Sequence, residues 1–475
     1  MKNLTMSTDL YQINMLYAYY KQGMADRRVV FDMYFRKSPC SGGYAIFAGL
    51  EQVVEYVASL HFTEEDLAYL RSVYPYEEEF LMRLKNLTFT GSIASMKEGT
   101  VVFPGEPLIR VEAPIIEAQL IETAILTIIN HQTLIATKAA RIVGEAKGDT
   151  VLEFGLRRAQ GADAGYYGAR AAYIGGVHAT SNIMAGRDFG IPVKGTHAHS
   201  FVQMFEHEAE AFMTYADAFP DETVLLVDTY DTLRVGIPHA IKVGLALKEK
   251  GKRLLGVRLD SGDLAYLSKE ARVMLDEAGL EDVPIVASGD LDERLIQDLK
   301  NQGAKINVWG VGTNLITSYD CPALGGVYKL AASEEDGEWV PRLKVSENPA
   351  KITNPGYKKV LRFYDGKSGQ ALADLIALEG EEIPLDQITL FDPLFPHKRK
   401  TIRNYRIENL LHPVILKGVR QGRPPALEEI RTYSQQQLSR VSPEIRRLTN
   451  PHGYHVDLSE ELWKLKQELI HKNRA

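Results

Sequence analysis

Cysteine is nearly absent: the 475 residues hold two, Cys40 and Cys321. Two distant cysteines build neither a disulfide framework nor a zinc site, and their scarcity fits a reducing cytoplasm. Long apolar runs are missing too. The most apolar stretch, Ala124 to Ile129, is followed by Asn130, His131 and Gln132. That is far short of the ~20 residues a membrane-spanning helix needs. The opening MKNLTMSTDLYQ has no apolar signal core after its lysine. Positive charge is not in excess: 55 Lys and Arg face 62 Asp and Glu, a net charge of -7. These absences argue against a membrane protein and against a general nucleic-acid binder. No repeat or low-complexity segment is visible. What is present is 45% hydrophobic residues, over a length that allows roughly two to four domains.

Residues 7–24 read as a helix and 29–36 as a strand ending on Arg36. Residues 43–85 suggest several helices, and Phe89 to Ala113 gives short apolar runs broken by Gly and Pro, a small sheet. From Pro114 to about Ala146 apolar residues recur with helical period. Within that stretch Asn130, His131, Thr137, Lys138 and Arg141 read mainly as surface or capping groups. From 151 the rhythm becomes strand, loop, helix, with strands expected at 151–155, 172–177, 191–195, 223–228, 254–260, 283–288 and 305–311. Apolar strands alternating with helices indicate a parallel sheet with covered faces. The expected fold is α/β: an irregular β/α barrel over 126–329 and a β-rich α+β domain over 1–125 that 330–370 completes. Residues 371–475 are expected to form a C-terminal cap or extension. A doubly wound open sheet is the alternative, weakened because no GxGxxG follows the first strand.

In such barrels chemistry collects at the C-terminal tips of the strands. The tip after Leu254–Val257 carries Arg258, Asp260, Ser261, Gly262 and Asp263. Arg258 can fork onto a phosphate or a carboxylate. Asp260 and Asp263 can hold Mg²⁺ or face a developing positive charge, and a salt-bridged strand end is the plain alternative. Ser288-Gly289 and Gly312-Thr313 are glycine turns before helix starts, candidate cradles for a phosphate; tight turning alone would also explain them. Phe154, Arg157 and Arg158 put an aromatic face beside two guanidiniums. His197 and His199 share one face if that segment is extended. They can bind metal, serve structure, or accept a phosphoryl group. Asp228 and Asp231 end a further strand without an assigned role.

Together these segments resemble the nicotinate phosphoribosyltransferases. The matching strings are TDLYQ (8–12), EFGLRRAQG (153–161), GTHAHSF (195–201), VRLDSGD (257–263), ASGDLDE (287–293), GVGTN (310–314) and GGVYKL (325–330). The resemblance implies a type II phosphoribosyltransferase fold, and a ligase that makes nicotinate mononucleotide and pyrophosphate from nicotinate and phosphoribosyl pyrophosphate in NAD biosynthesis. It implies coupling to ATP through a phosphohistidine, which falls on His199. It places Thr196 and Arg258 near substrate, and Thr313 in a phosphate loop. It puts Tyr11 in the site of a partner subunit, hence a homodimer with shared sites.

On these assignments Tyr11 and Phe154 offer faces to the pyridine ring. Arg258 or Arg157 can pair with its carboxylate. Ser261, Ser288, Gly289, Gly312 and Thr313 serve the phosphoribosyl group. Asp260 stabilises oxocarbenium-like charge, and Mg²⁺ on Asp260 and Asp263 neutralises the leaving pyrophosphate. The nearest rival, nicotinamide phosphoribosyltransferase, carries an aspartate near the position of His178, where this chain has no acid. A silent phosphosugar-binding barrel is the rival of another class.

Overall fold

The computed structural model describes residues 3–348, 351–393 and 395–473. It divides into two compact units, Met1–Leu134 with Ala323–Ala475, and Ile135–Pro322.

The first unit is built on a seven-stranded sheet. Arg28–Phe35 is one of its inner strands, antiparallel to Ile109–Pro114 on one side and to Gly326–Glu335 on the other. Val29, Val30, Phe31, Met33 and Phe35 are all buried, so both faces are covered. The one acid in this run, Asp32, is also buried and forms an ion pair with Lys358 at 2.8 Å. Residues 371–475, expected to form a cap, contribute strands to this unit. His412–Leu416 pairs with Ser92–Ser95 in the seven-stranded sheet, and Ala371–Leu378 pairs with Lys358–Asp365 in a four-stranded one. Among the described residues no helix is long and apolar enough to cross a membrane.

The second unit is a β/α half-barrel. Its strands are β1 (Thr150–Glu153), β2 (Ala179–Thr180), β3 (Val224–Leu226), β4 (Gly256–Leu259), β5 (Ile285–Ala287) and β6 (Val308–Val311). They form one six-stranded sheet in the order β2-β1-β6-β5-β4-β3, and every pairing is parallel. Helices follow the strands: Ile237–Glu249 after β3, Leu264–Glu277 after β4, Glu293–Asn301 after β5. All six tips therefore point the same way.

Two expected strands differ. Residues 172–177 end a helix, Ala162–Ile174. Small residues let this helix pack close to its neighbour: a Cβ on Gly175 would lie 2.3 Å from the Ala136 carbonyl oxygen. The buried alanines belong to this helix, and β2 lies further on. Residues 191–195 reduce to a single bridge between Val193 and Thr180. Pro192 has no N–H to extend the ladder.

Lys138 and Arg141 are not surface groups. Both are buried, and both reach the buried carboxylate of Glu293, at 2.8 and 2.9 Å. Lys138 also pairs with Asp320 at 2.6 Å, so two acids face the two cations, and Glu293, at the start of the helix after β5, is the one that touches both. Removing one member of a buried charge set costs about 3–5 kcal/mol, because the remaining charge is stranded. Glu293→Ala is expected to lose that much stability in urea denaturation; an unchanged midpoint would show that the cluster contributes nothing.

Candidate active site

The strand tips surround a cavity of about 500 Å³ in the second unit. Phe154, Arg157, Thr196, Arg258 and Asp260 line it, as do Ser288, Gly289, Gly312 and Thr313. Glycines set its shape. A Cβ on Gly310 would meet the Phe154 ring at 2.7 Å, so the ring packs directly against β6. Gly289 has φ +93°, and a Cβ there would lie 2.3 Å from the Asp260 carbonyl oxygen. The loops after β4 and β5 are in contact at that point.

Arg258 is the charged centre. Its side chain is only 13% exposed. One guanidinium nitrogen donates to Thr196 Oγ1, another lies 3.8 Å from Asp260, and buried Nε has no partner among the described residues. Burial pulls its pKa down, while Asp260 and Asp228 oppose that shift. Asp260 in turn accepts a hydrogen bond from Ser288 Oγ. Three guanidiniums (Arg157, Arg158, Arg258) face two carboxylates (Asp260, Asp290) across the cavity. In a chain of net charge -7 that local excess of positive charge suits an anion.

Gly312 directly precedes the short helix Thr313–Ile316, and no side chain caps that start. Its N–H groups are open to an acceptor, as the sequence suggests. Ser288-Gly289 differs: the next helix begins at Glu293 and is capped by Asp292. Those residues serve the cavity as a loop, not as a helix terminus.

His199 opens the helix His199–Gln203 and lies outside the cavity lining, with Nε2 3.1 Å from Asp228 Oδ1. Asp228 is the residue at this point that sequence reasoning left without a role. Its side chain is 2% exposed, and its other oxygen accepts from the Asp260 N–H at 3.0 Å and from Ser261 Oγ at 2.6 Å. One buried carboxylate thus ties the histidine to the Arg258 loop. The available signal was an apolar run, TVLLV, ending in an acid at a strand tip. Ser261 therefore faces Asp228. Asp263 caps the helix Leu264–Glu277 by accepting from the Tyr266 N–H. Tyr11 belongs to the first unit, on the helix Leu10–Lys21, and is 51% exposed. His178 accepts from the Val151 N–H, and Ser181 instead lines the cavity at the β2 tip.

His197 and His199 do not act as a pair. His197 is buried among Phe201, Phe212 and Tyr215. Its Nε2 accepts the Leu226 N–H at 3.2 Å, an edge donor of β3 that no strand takes. The imidazole thereby does part of the work of the missing strand. Burial drives its pKa down to about 4, with Arg258 and His199 adding to the effect. The native state thus refuses a proton that the unfolded chain accepts. Stability falls as pH drops from 6.5 to about 4, by roughly 3 kcal/mol from this residue. His197→Gln keeps an acceptor without the titration, so its stability is expected to fall less over that window. Identical pH profiles would contradict this role.

Known proteins resemble the chain along its length. Models of the nicotinate phosphoribosyltransferase N-terminal domain, family and C-terminal domain match residues 6–130, 150–377 and 357–466. A nicotinate phosphoribosyltransferase of Bacillus subtilis is 50% identical, covering 100% of this chain and 96% of that protein. One from Homo sapiens is 36% identical over 97% of this chain and 96% of its own length. The crystal structure of human nicotinic acid phosphoribosyltransferase superposes with a TM-score of 0.87 at 34% identity, covering 97% of this chain and 99% of that one. A nicotinate-nucleotide pyrophosphorylase from Pyrococcus furiosus shares the fold, with a TM-score of 0.70 at 23% identity over 92% of this chain and 96% of that one.

Proposed function

The chain belongs to the nicotinate phosphoribosyltransferase family, and on that footing we propose how its cavity works. It is an enzyme of pyridine-nucleotide and NAD biosynthesis, acting on nicotinate and phosphoribosyl pyrophosphate. The pyridine nitrogen donates its lone pair to ribose C1, while the C1–O bond breaks and pyrophosphate leaves with the bonding electrons.

The observation that carries the site assignment is the buried Arg258 guanidinium with its free Nε. It holds the nicotinate carboxylate, with Thr196 fixing its orientation. Phe154 supplies the flat wall for the ring, and Arg157 adds a second cation. The Gly312-Thr313 helix start, with Ser288 and Gly289, receives the phosphoribosyl phosphate. Asp260 faces the positive charge that grows on the ribose. No acid lines the β2 tip, where Ser181 sits; with the guanidiniums opposite, this favours the acid over the amide.

Mg²⁺ is the expected metal. Asp260 and Asp290 are the carboxylates in the cavity, and among the described residues no cluster of three or more His, Cys, Asp or Glu offers a closed site. That donor set fits an ion held by one or two carboxylates plus substrate phosphates. When bound it neutralises the leaving pyrophosphate.

ATP is the proposed co-substrate, and His199 its acceptor. With Nε2 hydrogen-bonded to Asp228, Nδ1 is the nitrogen left with a lone pair. That nitrogen bonds to the γ-phosphorus as ADP departs. The new phosphoryl group adds roughly two negative charges. Their effect reaches the substrate loop through Asp228, which also holds the Asp260 N–H and Ser261. The working form is a cytoplasmic homodimer in which Tyr11 serves the site of the other copy.

Labelling with [γ-³²P]ATP tests the histidine. His199→Ala is expected to take up no label yet retain slow, ATP-independent synthesis. Asp228→Asn is expected to label roughly 100-fold more slowly. Labelling of His199→Ala at the parental rate would reject the phosphohistidine.

A further inference from the structure

The first unit contains a second cavity, of about 390 Å³. Leu50 and Val54 on the helix Leu50–Ala58, Met96, and Ile430 on the helix Leu427–Ser439 give it apolar walls. The Tyr433 ring lines the same space. All of these residues belong to one compact unit.

Each charged group around this cavity but one has an ion-pair or hydrogen-bond partner. Arg420 grips Glu51 through two hydrogen bonds of 2.7 Å. Arg423 lies 3.3 Å from Glu429. The Glu98 carboxylate accepts the backbone N–H of Leu50 at 3.2 Å and that of Gly49 at 2.5 Å. Lys97 makes no ion pair among the described residues; its ammonium lies 6.0 Å from the centre of the Tyr433 ring. His412 lines the cavity as well. Burial lowers its pKa, and the Lys97 ammonium lowers it further, so the imidazole is neutral and offers an N–H.

An unmatched ammonium and an N–H donor therefore stand at an apolar slot that has an aromatic face. A ligand that fits carries one negative charge on a flat apolar body. A second charge would face Glu51 or Glu429, and a cation would be repelled by Lys97. The volume lies in the range of small-molecule sites. We propose that this cavity is a binding site for a small aromatic monocarboxylate, separate from the cavity at the strand tips.

Calorimetric titration with 2-naphthoate, and with neutral 2-naphthamide as control, tests the proposal. Lys97 is exposed, so Lys97→Met removes the charge without disturbing the fold. The naphthoate is expected to bind with sub-millimolar affinity. Lys97→Met should weaken it tenfold or more and leave the amide unchanged. Arg258→Ala, which disarms the other cavity, should leave naphthoate binding as it was. The reverse pattern, with binding lost in Arg258→Ala and kept in Lys97→Met, would overturn the site. So would equal binding of acid and amide, or no binding at all.

Discussion

A guanidinium cannot give up its proton, so burying one creates a demand for an anion. Arg258 lies at that point, at the end of β4, with Thr196 and a distant Asp260 as incomplete partners. The rest of the second unit is arranged around this demand. Parallel strands bring their tips to one side, glycines let loops approach each other, and Phe154 lines the same cavity as the charge. An apolar, ring-bearing anion satisfies what the protein leaves open. On the proposed reading, the field that attracts the acid gives the amide no equivalent partner.

Asp228 supplies the second constraint. Its two oxygens look in different directions, one to His199 and the other to the backbone and side chain of the Arg258 loop. On the proposed mechanism, a change of charge on the histidine is felt at the loop without any direct contact with substrate. Such coupling needs a carboxylate held away from water, because a solvated one would be screened. At 2% exposure Asp228 meets that condition. Close by, neutral His197 accepts the Leu226 N–H at the free edge of β3 and so anchors the segment on which Thr196 and His199 stand.

Much of this was legible in the sequence, for definite reasons. Apolar runs ending in polar tips located β1, β3, β4, β5 and β6, because a strand covered on both faces has few other solutions. Arg258, Asp260, Thr196, Phe154 and Thr313 were legible as tip residues, and they share one cavity. What the sequence hid depends on distant partners. The alanine run before Gly175 has strand-like apolarity, and the approach of Ala136 to Gly175 at the helix end is not visible in the sequence. Lys138 and Arg141 read as surface groups until Glu293, more than 150 positions on, is seen between them. Asp228 looked like any strand-end acid, since its meaning lies in three hydrogen bonds to other segments. Asp263, expected at the metal, also caps a helix through one oxygen, which the sequence alone does not show.

The central claim is that the buried charge of Arg258 selects the acid. The most direct test is the KM for nicotinate and for nicotinamide in Arg258→Ala and the parent. Losing hydrogen bonds to a charged group costs about 1.5–3 kcal/mol. The KM for nicotinate is therefore expected to rise roughly 10- to 100-fold, with that for nicotinamide little changed. An equal rise for both, or no rise for the acid, would contradict the claim.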